Sequence, residues 1–397
     1  MLLLGLPLLW PTPLVGDNFQ FWVAGRMVVS GVSPYDRASW VAAAAYGAVP
    51  GGVAVNTAGL NLAITQQVWL YPPQTAFLFA PFGALPLEIG VPLLHLFILI
   101  TTFAGIALAA SFSGLRGAAL GLVLALAILS ETFVIPVRNG HPIGLLLIGG
   151  VLLLRGVAVR DLRAVALGTA LLTLKPQLVL PLAVAAVAYA AARKDQRALT
   201  VMAVSAIAVT LPFELLTPFP IGALFESGAE RLRVDLSTLP ALARDLGDGT
   251  ALAVGLAALM ISLCALSLAW VPREWRGRVA AGSLFALSPA LVPYTHDYDL
   301  LFGVPAVFVA VALAVAQGRR RIGLLIGSVA LSFAPWLLFY WWPLTGDGSR
   351  RFLGGPLGAV PLVFALALAA VALITRAAEP QLDAADRTPH PPQREMA

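Results

Sequence analysis

Charge is what this sequence has least of. Only 11% of its 397 residues are Asp, Glu, Lys or Arg, while 59% are hydrophobic; a soluble domain carries about a quarter charged residues. That shortage excludes an ordinary soluble domain and leaves a membrane protein. Cysteine is nearly absent as well. The single Cys264 lies inside an apolar run, which excludes a disulfide framework, a thiol pair and a thiolate metal site. There are four histidines, and no GxGxxG, P-loop, HExxH or GxSxG motif stands in a suitable context. The formal charge of +5 does not indicate a nucleic-acid partner. The basic residues recur as short clusters between apolar runs instead of forming one patch.

Apolar runs are what the chain has in quantity. They stand at Met1–Val15, Ile89–Phe112, Ala118–Val137, Ile143–Val159, Leu162–Leu174, Pro176–Ala192, Leu199–Leu216, Ala251–Val271, Val279–Pro293, Leu300–Ala316, Ile322–Trp342 and Leu353–Ile374. That makes about twelve spans, several of them short, and an all-α polytopic membrane fold. Met1–Val15 has no basic n-region and no small-residue cleavage site, so it reads as a first transmembrane helix. The proline-rich stretch Tyr71–Leu87 is ambiguous, and the positive-inside rule decides it. If it crosses, the basic links after Leu154, Ala192, Val271 and Ala316 fall outside. If it is juxtamembrane, they fall inside with Arg116 and the C-terminal tail, and 16 of the 25 basic residues are cytoplasmic. The second arrangement is the expected one, at the plasma membrane. It gives an integral-membrane domain over 1–376, with a first outer loop at 16–71 and a juxtamembrane segment at 71–87. The polar, Pro-rich tail 377–397 is expected to be disordered and cytoplasmic.

This topology gathers the polar residues at the outer ends of the helices. The stretch Gly16–Asp36 holds two carboxylates, Asp17 and Asp36, among Phe19, Phe21, Trp22 and Tyr35. An acid at that depth can act on a lipid-borne substrate, or it can cap a helix in an aromatic belt. Asp36 follows a turn, which favours the cap for that residue. Arg138 and Lys175 each end an apolar run on the same face. They read either as residues snorkelling to the headgroups or, with Arg26 as a third, as a cationic cradle for a phosphate. Pro176 breaks the helix at Lys175, and Gln177 adds an amide. His296, Asp297 and Asp299 cluster late in the chain. For His296, hydrogen bonding to a phosphate or a sugar hydroxyl is the better reading than a metal, since neighbours in sequence seldom converge on one ion unaided. His141 either joins them or shapes a tight turn. Glu131, inside its span, is expected to bond Arg138 or a neighbouring helix.

Several of these residues form an ordered pattern. Asp17 to Trp22, Gly31 to Asp36, Tyr71-Pro72-Pro73, Pro81 to Pro86, Asn139-Gly140-His141, Leu174 to Gln177 and His296-Asp297 together resemble the C-type integral-membrane glycosyltransferases. Within them the chain is most similar to glycosyltransferase family 87, the polyprenol-phosphate-mannose-dependent alpha-mannosyltransferases. The resemblance runs from Gly16 to Asp299 and departs at His141, where the family's loop more often carries Gln. It implies the C-type fold, with a long first extracytoplasmic loop. It also implies a polyprenyl-phosphate sugar donor, a glycolipid or glycan acceptor, and an active site facing out of the cytoplasm. Asp17 matches the family's catalytic acid, here a general base for an inverting transfer. Donor phosphate binding falls to Lys175, Arg138, Arg26 and His296. Substrate binding falls to Tyr35, Asp36, Tyr71, Asn139, His141, Gln177, Asp297 and Asp299. No cofactor and no metal are expected. Two other readings stay open: an arabinofuranosyl or other polyprenyl-phosphate-sugar transferase of the same fold, and a polytopic transporter or lipid flippase. The latter lacks support from symmetric halves or a matched pair of Gly/Pro-interrupted helices.

Overall fold

The computed structural model describes residues 17–36, 38–40, 69, 71–216, 238–239, 242–243, 249–292, 296–338 and 356–377; the side chains of Asp17, of residues 214–216 and of Pro356 are outside that set. Met1–Val15, most of the first outer loop after Trp40, most of the loop 217–249, and the tail from 378 onward lie outside the described residues.

Within them the regular structure is helical. The stretch expected as the opening of a loop forms α1 (Asp17–Val29), which packs against α2 (Pro73–Gly83). At 11 residues, α2 reaches only about 16 Å, well short of a bilayer core. The long α3 (Leu87–Ser113) follows and stops at Gly114, whose φ of +94° suits a residue without a Cβ. One span expected over Ala118–Val137 is two helices, α4 (Gly117–Ile128) and α5 (Glu131–Asn139), bent by 54°. Ser130 explains the break. Its hydroxyl accepts the Phe133 N–H at 3.2 Å and starts a new helix. Hydropathy alone does not register that signal.

Next come α6 (Ile143–Val159), α7 (Leu162–Leu172), α8 (Pro176–Ala192) and α9 (Gln196–Leu216). Helix α6 lies close along α3. A Cβ on Gly144 would stand 2.4 Å from the Thr102 backbone, so a small residue is needed at this crossing. The chain resumes with α10 (Thr250–Trp270) and α11 (Arg276–Leu291). A 3-10 helix over Asp297–Gly303 then leads into α12 (Pro305–Ala316). Helix α13 (Arg320–Ser328) continues through a π turn at Val329–Phe333, and α14 (Val360–Arg376) is the last described helix.

Six described segments are long and apolar enough to cross a membrane, or seven if α4 and α5 form one bent span. The sequence suggested about twelve. Helices α6, α7 and α8 are apolar but shorter than the rest of that set. The segment Asp297–Ala316 is 89% buried, whereas α9 is 11% and α10 is 17% buried. Helix α12 is therefore the hub, and α9 and α10 are the rim. Their exposed Val204, Ile207, Val254 and Ile261 are the surface expected against lipid tails. This is the architecture of a multi-pass membrane protein.

The bundle has two chemically distinct ends, and α8 connects them. Lys175 caps its start and Arg193 its finish, about 25 Å apart along the helix. At the Arg193 end the links meet one another. Arg193 donates to the Ala158 carbonyl at 3.1 Å, and Arg160 pairs with Asp195 at 3.6 Å. Arg278 lies beside Gly114 there.

Candidate active site

At the other end, ionisable groups are enclosed. Pro176 opens α8, a position that suits a residue with fixed φ and no N–H. This leaves Lys175 in the turn before the helix. Its Nζ reaches both carboxylate oxygens of Asp299 at 2.7 Å, with side-chain exposures of 2% and 0%. Asp299 also accepts the His296 backbone N–H at 3.0 Å, so it caps the 3-10 helix as well as balancing the lysine. A lone charge in this position would be costly. The two are buried as a pair.

Helix α2 is fastened to the same turn. Gln74 Nε2 donates to the Thr173 carbonyl at 2.9 Å, and Thr75 Oγ1 donates to the Leu174 carbonyl at 3.0 Å. These bonds take up carbonyls left over where α7 ends. They also bring Tyr71 into place, with its ring 5.6 Å from Lys175 Nζ; the Tyr298 ring lies 5.1 Å from it on another element. Two π faces beside an ammonium stabilise its charge.

His141 completes the group. Its ring stacks on Tyr298 at 4.0 Å and 20°, and its Nε2 shares a 2.7 Å hydrogen bond with the Tyr71 hydroxyl. Burial first, then the Lys175 and His296 charges, hold this imidazole well below its ordinary range. It is neutral at pH 7. His141 is brought here by the tight turn at Gly140, with φ of +75°. A Cβ at that glycine would stand 1.8 Å from Asn18 Oδ1, so the turn closes directly over Asn18. The Asn18 amide in turn meets His95 Nδ1 at 3.2 Å. The first turn of α1, which begins at Asp17, thus abuts the 138–141 turn.

Around this centre, Arg138 and Asn139 are half-buried on the His141 turn, and Gln177 is half-buried in the first turn of α8. Arg138 makes no ion pair among the described residues. His296 tilts against Tyr298 at 4.9 Å, and the Asp297 carboxylate accepts the Tyr298 N–H at 2.8 Å. Tyr35 donates its hydroxyl to the Tyr71 carbonyl, supporting the backbone from outside the group.

Two expected members stand apart from it. Arg26 lies about two and a half turns along α1 from Asp17, over the Trp22 ring at 5.8 Å and donating to the Gly83 carbonyl at 3.4 Å. Asp36 is exposed and caps a short turn. It accepts from the hydroxyl and the backbone N–H of Ser39, and these bonds, the hydroxyl's first, hold its carboxyl below the usual range. The cap, one of the two readings of Asp36 from sequence, is the geometry observed. Glu131 is fully buried, and neither of its oxygens has a hydrogen-bond partner in the described structure, Arg138 included. Among the described residues no three His, Cys, Asp or Glu side chains are grouped to hold a metal ion.

Sequence reading missed two contributors. Tyr298 stood unassigned within YTHDYD, and Asn18 stood next to Asp17. Their roles depend on Lys175, His141 and Gly140, all distant in sequence. Together the enclosed end offers a balanced cation, carboxylates, a neutral imidazole and aromatic faces. Such a set suits a phosphate and a hydroxylated ligand.

Neither a curated protein nor a solved structure matches the sequence. The sequence model of glycosyltransferase family 87 matches residues 69–293. This span takes in Tyr71, Arg138, His141 and Lys175, and it stops short of Asp17 on one side and His296 on the other. Since it covers more than half of the chain, this protein belongs to glycosyltransferase family 87 and is a membrane glycosyltransferase.

Proposed function

We propose that the protein transfers mannose from a polyprenyl-phosphate donor to a glycolipid or glycan acceptor, with inversion, at the outer face of the plasma membrane. The observation that carries this reading is the family match over residues 69–293, which include Tyr71, Arg138, His141 and Lys175 of the enclosed end. In the proposed step the acceptor hydroxyl attacks the anomeric carbon as the bond to the donor phosphate oxygen breaks. The Asp17 carboxylate takes the hydroxyl proton, and cations receive the leaving phosphate. One base suffices, because no covalent glycosyl-enzyme is formed. Lys175 shares its charge with Asp299, which makes Arg138 the principal cation for the phosphate in this proposal. His296, Asp297, Asn139, Gln177 and the Tyr71–His141 pair are the proposed contacts to sugar hydroxyls. Asp17 is supported by the position of α1 against the 138–141 turn.

The test is transfer by membranes holding the full chain, with polyprenyl-phosphate-mannose and a panel of mannoside acceptors. Asp17→Asn keeps the shape of the side chain and removes its basicity. It should still bind donor and should transfer at least about a hundredfold more slowly. Ordinary turnover by a folded Asp17→Asn protein would move the base to Asp297 or Asp299. Transfer from an arabinofuranosyl donor alone would replace mannose.

A further inference from the structure

The basic end of the bundle carries a feature that the sugar chemistry does not use. Helices α3, α6, α8 and α11 enclose an apolar cavity of about 480 Å³ there, within the size range of small-molecule sites. Leu154, Val157, Ala185, Ala281 and Leu284 set its character. Small side chains leave the space open. Ala185, half-buried on α8, is one of them.

The mouth is cationic. Arg278 is exposed on the rim, 5.0 Å over the Trp275 ring. Arg193 stands over Tyr189 at 5.4 Å and donates to the Tyr189 hydroxyl at 3.0 Å and the Ala158 carbonyl at 3.1 Å. Tyr189 and Ala158 both line the cavity. Neither arginine is in an ion pair among the described residues. One carboxylate, Glu274, lines the cavity with Arg278, and Arg193, bonded to two lining residues, is the added positive charge. Arginines at a bilayer boundary would snorkel over any smooth apolar surface. Here Arg278 lines a hollow, and Arg193 holds two of its lining residues.

We propose that this cavity takes an acyl chain of an anionic phospholipid, with the lipid phosphate between Arg193 and Arg278. Charge complementarity selects that occupant, because basic pockets between membrane helices favour anionic headgroups. A donor phosphate bound at the enclosed end is the length of α8 from Arg193, so it is not the phosphate placed at this rim. The site is independent of the transfer reaction proposed above.

Native mass spectrometry of the full chain in detergent tests this, with dioleoyl phosphatidylglycerol and dioleoyl phosphatidylcholine as probes. The wild type should bind phosphatidylglycerol with about tenfold preference, the scale expected of one or two nearby arginines. The double variant Arg193→Gln/Arg278→Gln should bind both lipids equally. Ala185→Trp, which puts an indole on the cavity wall, should lose the retained phosphatidylglycerol. Equal binding of the two lipids by the wild type would overturn the proposal. So would undiminished phosphatidylglycerol binding by a folded Ala185→Trp protein, or displacement by polyprenyl phosphate at equal concentration. Should Ala185→Trp fail to fold, the wild type and the double arginine variant still decide.

Discussion

Two ion pairs mark the two ends of the bundle, and they differ in almost every respect. Lys175–Asp299 is closed at 2.7 Å, enclosed on both sides, and joins residues 124 apart in sequence. Arg160–Asp195 is open at 3.6 Å, with the arginine side chain 62% exposed and the aspartate 11%. Exposed pairs contribute little because water and salt screen them and ordering two long side chains opposes them. A buried pair does not add stability simply by being a pair, since desolvation offsets its attraction. What it does is make each partner necessary to the other. The basic end displays charge to its surroundings, while the other end encloses charge and fixes α8 to the 3-10 helix.

The sharpest way to break this comparison is to remove one enclosed partner. Lys175→Ala leaves Asp299 buried without its cation and should cost about 3–5 kcal/mol of stability, measured by unfolding in detergent. Replacing both partners with apolar residues, Lys175→Met with Asp299→Leu, should recover most of that loss. If Lys175→Ala is no more harmful than a change at Arg160, the two ends do not differ as argued. Loss of activity in Lys175→Ala alone therefore says little about phosphate binding, because fold and site fail together.

Arg138 separates those effects. It is half-buried and has no ion pair among the described residues, so removing it strands no carboxylate. Arg138→Ala should leave the unfolding midpoint nearly unchanged and weaken apparent donor affinity by about tenfold or more. That loss corresponds to a charge-assisted phosphate contact of about 1.5–3 kcal/mol. Unchanged donor affinity in a stable Arg138→Ala protein would make this arginine an ordinary snorkelling residue.

The enclosed end also holds His141 neutral, which ties stability to pH. Its folded-state pKa is lowered by burial and by the Lys175 and His296 charges. Above the unfolded value near 6.5 both states are neutral, and the histidine adds no pH dependence. Below it, the unfolded chain takes a proton that the folded chain refuses, so stability falls with pH until the folded pKa is reached. The slope is at most about 1.4 kcal/mol per pH unit. Comparing unfolding midpoints from pH 7 to 5 should give a shallower decline for His141→Gln than for the wild type. Parallel declines would mean that His141 is not the group held neutral.

How much of this was legible beforehand follows from the range of each signal. The membrane class and helices such as α3, α9 and α10 follow from long apolar runs, which hydropathy reads directly. The 54° break at Ser130 was missed because a cap is one side chain and barely alters a hydropathy window. Lys175 was recognised as unusual, but its partner lies 124 residues away, and a buried pairing at that distance has no local signature. Arg26 reads from sequence as a third cation of the cradle. Helical rise carries it about 13 Å along α1, onto Trp22 and Gly83. Asp36 carried its cap in plain view as a turn followed by Ser39. Tyr298 and Asn18 matter only through the residues that tertiary packing sets against them.

The smallest expected effect is the control that gives the comparison its scale. Arg160 sits at the end of α6 with φ of +59°, a conformation few side chains prefer, and its guanidinium is largely in water. Asp195 has a second role that survives without it, accepting the Ala198 N–H at 3.1 Å to start α9. Removing the arginine side chain therefore leaves the carboxylate, 11% exposed, still bonded to the Ala198 N–H, and no cap is lost. Arg160→Ala should shift stability by no more than about 1 kcal/mol, and raising the salt concentration should shrink even that difference. A salt-insensitive loss of several kcal/mol would show that the basic end is built on enclosed charge as well.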